Sequence, residues 1–553
     1  MPVTATAVDP PASMPDPDAS QPRMRDRLVR PMPTDGVWSW VAALAITAVA
    51  AVVRIVDLGR PHRVIFDETY YAKDALAQSL FGYARKAVDD ADQLILDGRT
   101  DVFLSEPSFV VHPPVGKWVI GQGINLLGMS PTGWRIGVAV AGVLTVLLVC
   151  RIGRRLFRST VLGCAAGLFV AVDGLSIAIS RTAILDGILT TFIIAAFGCL
   201  LIDRDRMRAA YADWADRRLA DEAALGDGPV LAWRPWRLAA GVLLGLAIGT
   251  KWNGLYALAV FGLMTVIWDG GARRAAGLRS PTANALLRDG PVAFVTMVGS
   301  AAVTYLVSWW GWIRSDNAWG RHWAADNAPS FVGQLVPDWL RSLWHYHHEM
   351  WNFHSGLDSD HTYESSPWSW LYLGRPVAFD YQTANAGEQG CQVAECSQEV
   401  LALGNPVLWG LGLPALVVLV WWWLIRRDWR AGAILAGYVA TWGVWAALHA
   451  MGWFTSVPLI GAVARFMDTS DRTTFAFYAV TLVPFLALAV TFCLGLIIGP
   501  STASATRRVT GAVISGGIVL AIVVIAAYFY PLHVDELIPK DQWQQRIWFD
   551  SWI

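Results

Sequence analysis

Long apolar runs alternate along this chain with two kinds of polar segment, one short and arginine-rich, the other long and tryptophan-rich. The first run, about Val37 to Leu58, is long enough at about 1.5 Å per residue to cross a hydrocarbon core of roughly 30 Å. Further runs at about 133–150, 161–180, 184–202, 238–250, 254–268, 291–310, 406–425, 431–449, 475–499 and 509–530 bring the predicted spans to about eleven. The runs at 238–250 and 254–268 are short and meet at Thr250-Lys251-Trp252-Asn253-Gly254, which predicts a shallow or tilted hairpin. From Gly116 to Leu127, Trp118, Val119, Ile120, Ile124 and Leu127 alternate with Lys117, Gln122 and Asn125. That is the pattern of an amphipathic helix lying on a membrane surface. No polar loop alternates like a sizeable sheet and no internal repeat stands out, so the expected fold class is an all-α polytopic membrane protein.

Composition agrees. With 55% hydrophobic residues, 16% charged ones and a mean hydropathy of +0.41, a chain of 553 residues is too apolar to be a soluble protein. The 30 Trp suit bilayer interfaces better than a soluble core. Residues 1–36, rich in Pro, Ala, Asp and Ser and ending in Arg23, Arg25, Arg27 and Arg30, read as a disordered tail with a basic collar and no cleavable signal pattern. A membrane body follows over 37–530, with external loops at about 58–132 and about 311–404, and then a tail over 531–553. The larger loop, dense in Trp, is expected to lie on the membrane as interfacial helices. Charge sets the orientation. Arg151, Arg154, Arg155 and Arg158, the segments Arg204 to Arg237 and Arg273 to Arg288, then Arg426, Arg427, Arg430, Arg507 and Arg508 all fall on one side. By the positive-inside rule that side, with the N-terminus, is cytoplasmic, and the long loops and C-terminus lie outside. There Cys391 and Cys396, five apart, are expected to form a short disulfide. Cys150, Cys164, Cys199 and Cys493 sit in apolar runs and act as small hydrophobes.

Candidate chemistry gathers on the external face. Asp67 and Glu68 follow the first span within Phe66-Asp67-Glu68-Thr69-Tyr70-Tyr71-Ala72-Lys73, and His112-Pro113-Pro114-Val115-Gly116-Lys117 echoes them. Arg181 and Asp186 bracket a tight turn, Lys251 caps the short hairpin, and Arg465, Asp468, Asp471 and Arg472 precede the next-to-last span. Group transfer from a phosphate carrier to a hydroxyl needs a carboxylate to take the hydroxyl proton. It also needs cations to hold the departing phosphate. Asp67 or Glu68 can serve the first need, and Arg181, Lys251, Arg465 and Arg472 the second. Structural readings stand beside these: Arg54 and Asp57 as an interfacial pair, and Asp173 and Asp186 as partners of Arg181. His345, His347, His348, His354 and His361 lack the tight second group of a metal centre, so none is expected. No phosphate-binding loop or dinucleotide fingerprint is present, and nothing points to nucleic acid.

These residues also carry a resemblance. Phe66-Asp67-Glu68 with His112 to Lys117, Ser180-Arg181 with Leu185-Asp186, Lys251-Trp252-Asn253-Gly254-Leu255 and Leu403-Gly404-Asn405-Pro406-Val407 follow in the order seen in the protein O-mannosyltransferases, membrane glycosyltransferases of the GT-C type. The most specific block runs from His348-Glu349-Met350-Trp351 through Gly356-Leu357, His361 and Tyr363-Glu364-Ser365 to Trp370. The resemblance implies eleven spans and an enzyme that moves mannose, with inversion, from a polyprenyl-phosphate carrier to Ser or Thr of secreted proteins, with no metal or cofactor. It implies Asp67 as the base and Glu68 as a partner that positions the acceptor. It brings Trp252, His112, Lys117, His348 and His361 into the substrate-binding set. The roughly 90 residues of the large loop leave no room for the trefoil domain of the eukaryotic members, which favours a bacterial plasma-membrane enzyme whose partners are the lipid donor, secreted polypeptides and membrane lipids. Two rivals stay open: a GT-C enzyme with a lipid or cell-wall glycan acceptor, and a secondary transporter. The transporter would place its ionisable residues near mid-membrane.

Overall fold

The computed structural model describes residues 24–328, 333–357, 360–451 and 472–553. Among these, nine helices are long and apolar enough to cross a membrane. They are α1 (Val37–Ile55), α4 (Pro131–Phe157), α7 (Leu185–Ala220), α9 (Gly254–Ala275), α10 (Pro281–Ser308), α12 (Pro406–Arg426), α13 (Trp429–Met451), α14 (Ala476–Ile498) and α15 (Ala505–His533). A tenth is a bent pair, α5 (Thr160–Val172) with α6 (Gly174–Ser180), which turn through 62° at Asp173. The span expected at 238–250 is α8 (Pro235–Ile248), at about 21 Å shorter than the hydrocarbon core. Its partner in the expected short hairpin, α9, is of full length instead.

The bend has a chemical cause. Asp173 accepts a hydrogen bond from the Ser176 backbone N–H at 3.0 Å and so caps the start of α6. Arg54 of α1 caps the end of α5, its guanidinium donating to the carbonyls of Val170 and Ala171, each at 2.9 Å. Charged side chains satisfy the groups that a broken helix orphans. The expected Arg54–Asp57 pair is therefore absent: Arg54 is buried and turned toward α5.

At the arginine-rich end of the bundle, charges close on one another. Arg234 meets Asp203, Arg237 meets Asp269 at 2.7 Å, and Arg273 meets Asp289 at 2.6 and 2.7 Å, all in buried pairs. The basic collar is more ordered than a free tail. A short helix, Met24–Leu28, buries Met24 and Leu28 against Met207, Tyr211, Ala212 and Ala215 of α7.

The opposite end carries the long connections. Here lie α2 (Glu68–Phe81), the hairpin β1 (Arg85–Ala87) with β2 (Phe103–Pro107), α3 (Val115–Leu127) and α11 (Asp338–Ser355). The larger connection adds an element that hydropathy does not predict. β3 (Val377–Asn385) and β4 (Glu395–Ala402) form an antiparallel hairpin from Val377↔Ala402 to Asn385↔Glu395, and β5 (Ile538–Pro539) pairs with Cys396 and Ser397 on the far edge. The Cys391–Cys396 disulfide closes the hairpin end. The expected α3 helix is present, but its faces differ from expectation. Lys117 is buried and Trp118 and Leu127 are exposed.

Candidate active site

Asp67 and Glu68 are neighbours with opposite surroundings. Glu68, fully buried, is held bidentately by Arg135 at 2.7 and 2.8 Å and also accepts from the Ala183 N–H at 2.9 Å. With a fourth bond from the Ile65 N–H at 3.2 Å, Glu68 braces the first loop against α4 and the 181–184 turn. Asp67 opens α2 and, among the described residues, has no ion-pair partner within reach. Its bond comes from Tyr71, one turn on. Burial pushes its carboxyl up to about 6, with Lys251 opposing and Asp186 adding to the rise.

The cation beside it is Lys251. Its ammonium donates to both Asp186 oxygens, at 3.0 and 2.9 Å, and stands 4.2 Å from the Tyr478 ring centre. An ammonium has three donors, so one remains to point elsewhere. The 249–251 turn is brought here by backbone contact: Val115 N–H donates to Gly249 at 2.8 Å. Gly116 permits the approach, since a Cβ there would lie 2.6 Å from Leu185 and 2.9 Å from Thr250.

A cleft of about 150 Å³ opens beside Lys251, lined by His112, Trp252, Tyr256, Trp351, His354 and Arg472 among others. His112 and His354 stack at 5.0 Å. Burial and the surrounding cations hold His112 well below the usual imidazole range and His354 down to about 4, so both are neutral at pH 7. His354 spends its Nε2–H on the Val111 carbonyl at 2.8 Å, which leaves Nδ1 as a buried acceptor with no bond among the described residues. Arg472 Nε is likewise buried and unbonded. Trp252 is fixed by donating to the Tyr305 hydroxyl at 3.0 Å, which itself meets His347 at 2.7 Å. The cleft thus offers two cations, two neutral imidazoles and aromatic walls, next to a carboxylate of raised pKa.

Several predicted residues lie elsewhere. Arg181 is buried and donates to the carbonyls of Arg54, Val56 and Asp57, at 2.7 to 3.2 Å; it caps α1 and pairs with neither Asp173 nor Asp186. Lys117 donates to the His112 carbonyl at 2.9 Å and pairs with Asp74 at 3.2 Å, so it shapes the His112 turn from behind. His348 is exposed on the outer face of α11, and His361 is exposed against Phe475. Arg465, with Asp468 and Asp471, lies outside the described residues. Tyr71, Tyr478 and His354 are the gains. His354 is two turns from His347 on the face of α11 that buries Leu343, Tyr346 and Met350, a spacing visible in the sequence.

A many-span helical bundle, with a buried carboxylate and two cations gathered at one end beside an aromatic cleft, suits a membrane-embedded group-transfer enzyme, and the fold is that of the GT-C glycosyltransferases. The yeast protein O-mannosyltransferase Pmt1–Pmt2 complex bound to the sugar donor shares the fold, with a TM-score of 0.66 at 14% identity over 94% of this chain and 93% of that one. The profile described as dolichyl-phosphate-mannose-protein mannosyltransferase matches residues 44–269. That of the C-terminal four-span region of protein-O-mannosyltransferase matches 339–552. A polyprenol-phosphate-mannose–protein mannosyltransferase of Mycolicibacterium smegmatis (strain MKD8) is 38% identical, over 94% of both chains. One of Mycobacterium tuberculosis (strain H37Rv) is 35% identical over 94% of this chain and 93% of its own. The chain belongs to the protein O-mannosyltransferase family.

Proposed function

We propose that the protein transfers mannose from a polyprenyl-phosphate donor to Ser or Thr hydroxyls of polypeptides, with inversion and without a metal. The acceptor hydroxyl attacks the anomeric carbon while Asp67 takes its proton. The bond from that carbon to the phosphate oxygen breaks, and polyprenyl phosphate leaves with the charge that Lys251 and Arg472 are placed to meet. The observation that carries this reading is Asp67 itself: a carboxylate pushed to about 6, without an ion-pair partner among the described residues, beside a buried cation. A base of that pKa is ionised at neutral pH yet basic enough to share a proton. The arginine-rich end supports a cytoplasmic N-terminus and a site on the outer face of a bacterial plasma membrane.

The test is transfer of radiolabelled mannose from a short polyprenyl-phosphate-mannose to a Thr-rich peptide by purified protein with a chelator present. Transfer by the wild type that Asp67→Asn abolishes is the expected result. Transfer only to lipid or glycan acceptors would refute the polypeptide acceptor, and loss of transfer in chelator would refute the metal-free reaction.

A further inference from the structure

The chain between α1 and α2 ends on Phe66, whose φ of +47° sets a phenylalanine in left-handed backbone. Such a residue persists only where its surroundings enforce the conformation. From inside, Arg135 donates to the carbonyls of Pro61 and Arg63 at 2.9 and 3.0 Å. From outside, Arg63 reaches the sheet: its Nε donates to Asp380 of β3 at 2.8 Å and its Nη2 to Asp535 at 3.2 Å. The Phe66 ring stacks on Phe379, also of β3, at 4.7 Å and meets Phe477 edge-on at 5.5 Å. Phe477 in turn faces Lys251 at 5.9 Å. None of the residues lining the cleft beside Lys251 belongs to the sheet. Asp380 therefore acts on the site only at a distance: its bond to Arg63 and the Phe66–Phe379 stack reach the residue before Asp67, and a second contact runs from Phe379 through Phe477 toward Lys251.

We propose that Arg63, tethered to Asp380 and Asp535, and Phe66, wedged against Phe379, are positioning residues through which the β3–β4–β5 sheet aims Asp67. This rests on Asp67 being the base. Without the tether, the loop keeps its inner anchor and the Phe66 ring contacts alone, and Phe66 can relax to ordinary backbone and swing the next residue away from Lys251. A near-attack arrangement does not tolerate such a shift, and a displacement of about 1 Å is worth roughly a hundredfold in rate.

The test compares Arg63→Ala, Arg63→Lys, Asp380→Asn and the Arg63→Ala/Asp380→Asn double variant by mannosyl transfer in detergent. Each alanine or asparagine variant is expected to lose roughly ten- to a hundredfold in kcat with an unchanged KM for the donor. The double variant is expected to lose no more than the worse single one, and Arg63→Lys to regain part of the activity. The pH profile adds a readout that loss of folded protein would not move. Asp67 faces Lys251, Asp186 and Tyr71, and loosening its loop admits water, so the acid limb moves to lower pH. Wild-type kcat and acid limb in Arg63→Ala, or losses that merely track melting temperature, would overturn the positioning role alone. Retained activity in Asp67→Asn would overturn the base itself.

Discussion

The two ends of the helix bundle treat charge in opposite ways. At the arginine-rich end Asp203, Arg234, Arg237 and Asp269 close into a buried cluster beside the Arg273–Asp289 pair. At the other end Asp67 lacks an ionic partner, and Arg472 and His354 each keep a buried polar atom unbonded, among the described residues. Buried ion pairs fix how helices meet and add little net stability, because desolvation offsets their attraction, and even in that cluster Arg237 keeps Nε and Nη1 without a hydrogen bond among the described residues. A buried polar group left without a bond lowers stability, and at this end such groups line the cleft beside Lys251. Glu68 and Asp67 repeat the contrast within one peptide bond.

Substitutions at each end should separate stability from turnover. The largest effect is expected for Asp67→Asn, which lowers kcat about 10³-fold. It also raises the melting temperature at neutral pH, because an amide need not be ionised in that buried position. Glu68→Gln should do the reverse in kind, costing about 3 kcal/mol by leaving Arg135 buried without its charge partner, read from denaturant or thermal unfolding. Asp269→Asn is expected to destabilise similarly while the folded fraction keeps wild-type kcat, and a loss of kcat would erase the contrast between the two ends. Arg472→Met should raise the KM for the donor roughly tenfold. The smallest effect falls on pH. Burial pushes Glu399 of β4 up to about 7, with the Trp543 hydrogen bond opposing and Asp380 adding to the rise. The folded state binds this proton more tightly than the unfolded one, so stability is fully present below about pH 4.5 and declines until the pH passes about 7. Glu399→Gln is accordingly expected to raise the melting temperature at pH 8 and leave it unchanged at pH 4.

Hydropathy located the helices, because a membrane demands long apolar runs whatever their partners. It did not disclose the sheet. β4 reads Glu-Cys-Ser-Gln-Glu-Val-Leu-Ala, yet it is buried almost throughout, lying between β3 and the 533–539 segment. A polar strand enclosed on its flanks leaves no alternating signature. The site was legible as a set of charged residues on one face, and Asp67, Lys251, Trp252, His112 and Arg472 do converge. Arg181, Lys117 and Glu68 are held by bonds within the protein, and a sequence shows that a charge exists and not whether its bonds are already used. Backbone carbonyls absorb Arg181, and no side-chain pattern announces that.

β5 and Asp535 bear on when the protein becomes active during its own synthesis. The strand that completes the sheet, and the carboxylate that helps hold Arg63, are translated after every membrane span. Asp67 is made among the first hundred residues, yet its loop lacks part of its outer anchor until residues 535–539 have joined the sheet. A nascent chain still attached to the ribosome by those residues would carry the base without its full support. On the proposed positioning role, competence waits for the last-made strand, a late checkpoint written into the order of the chain.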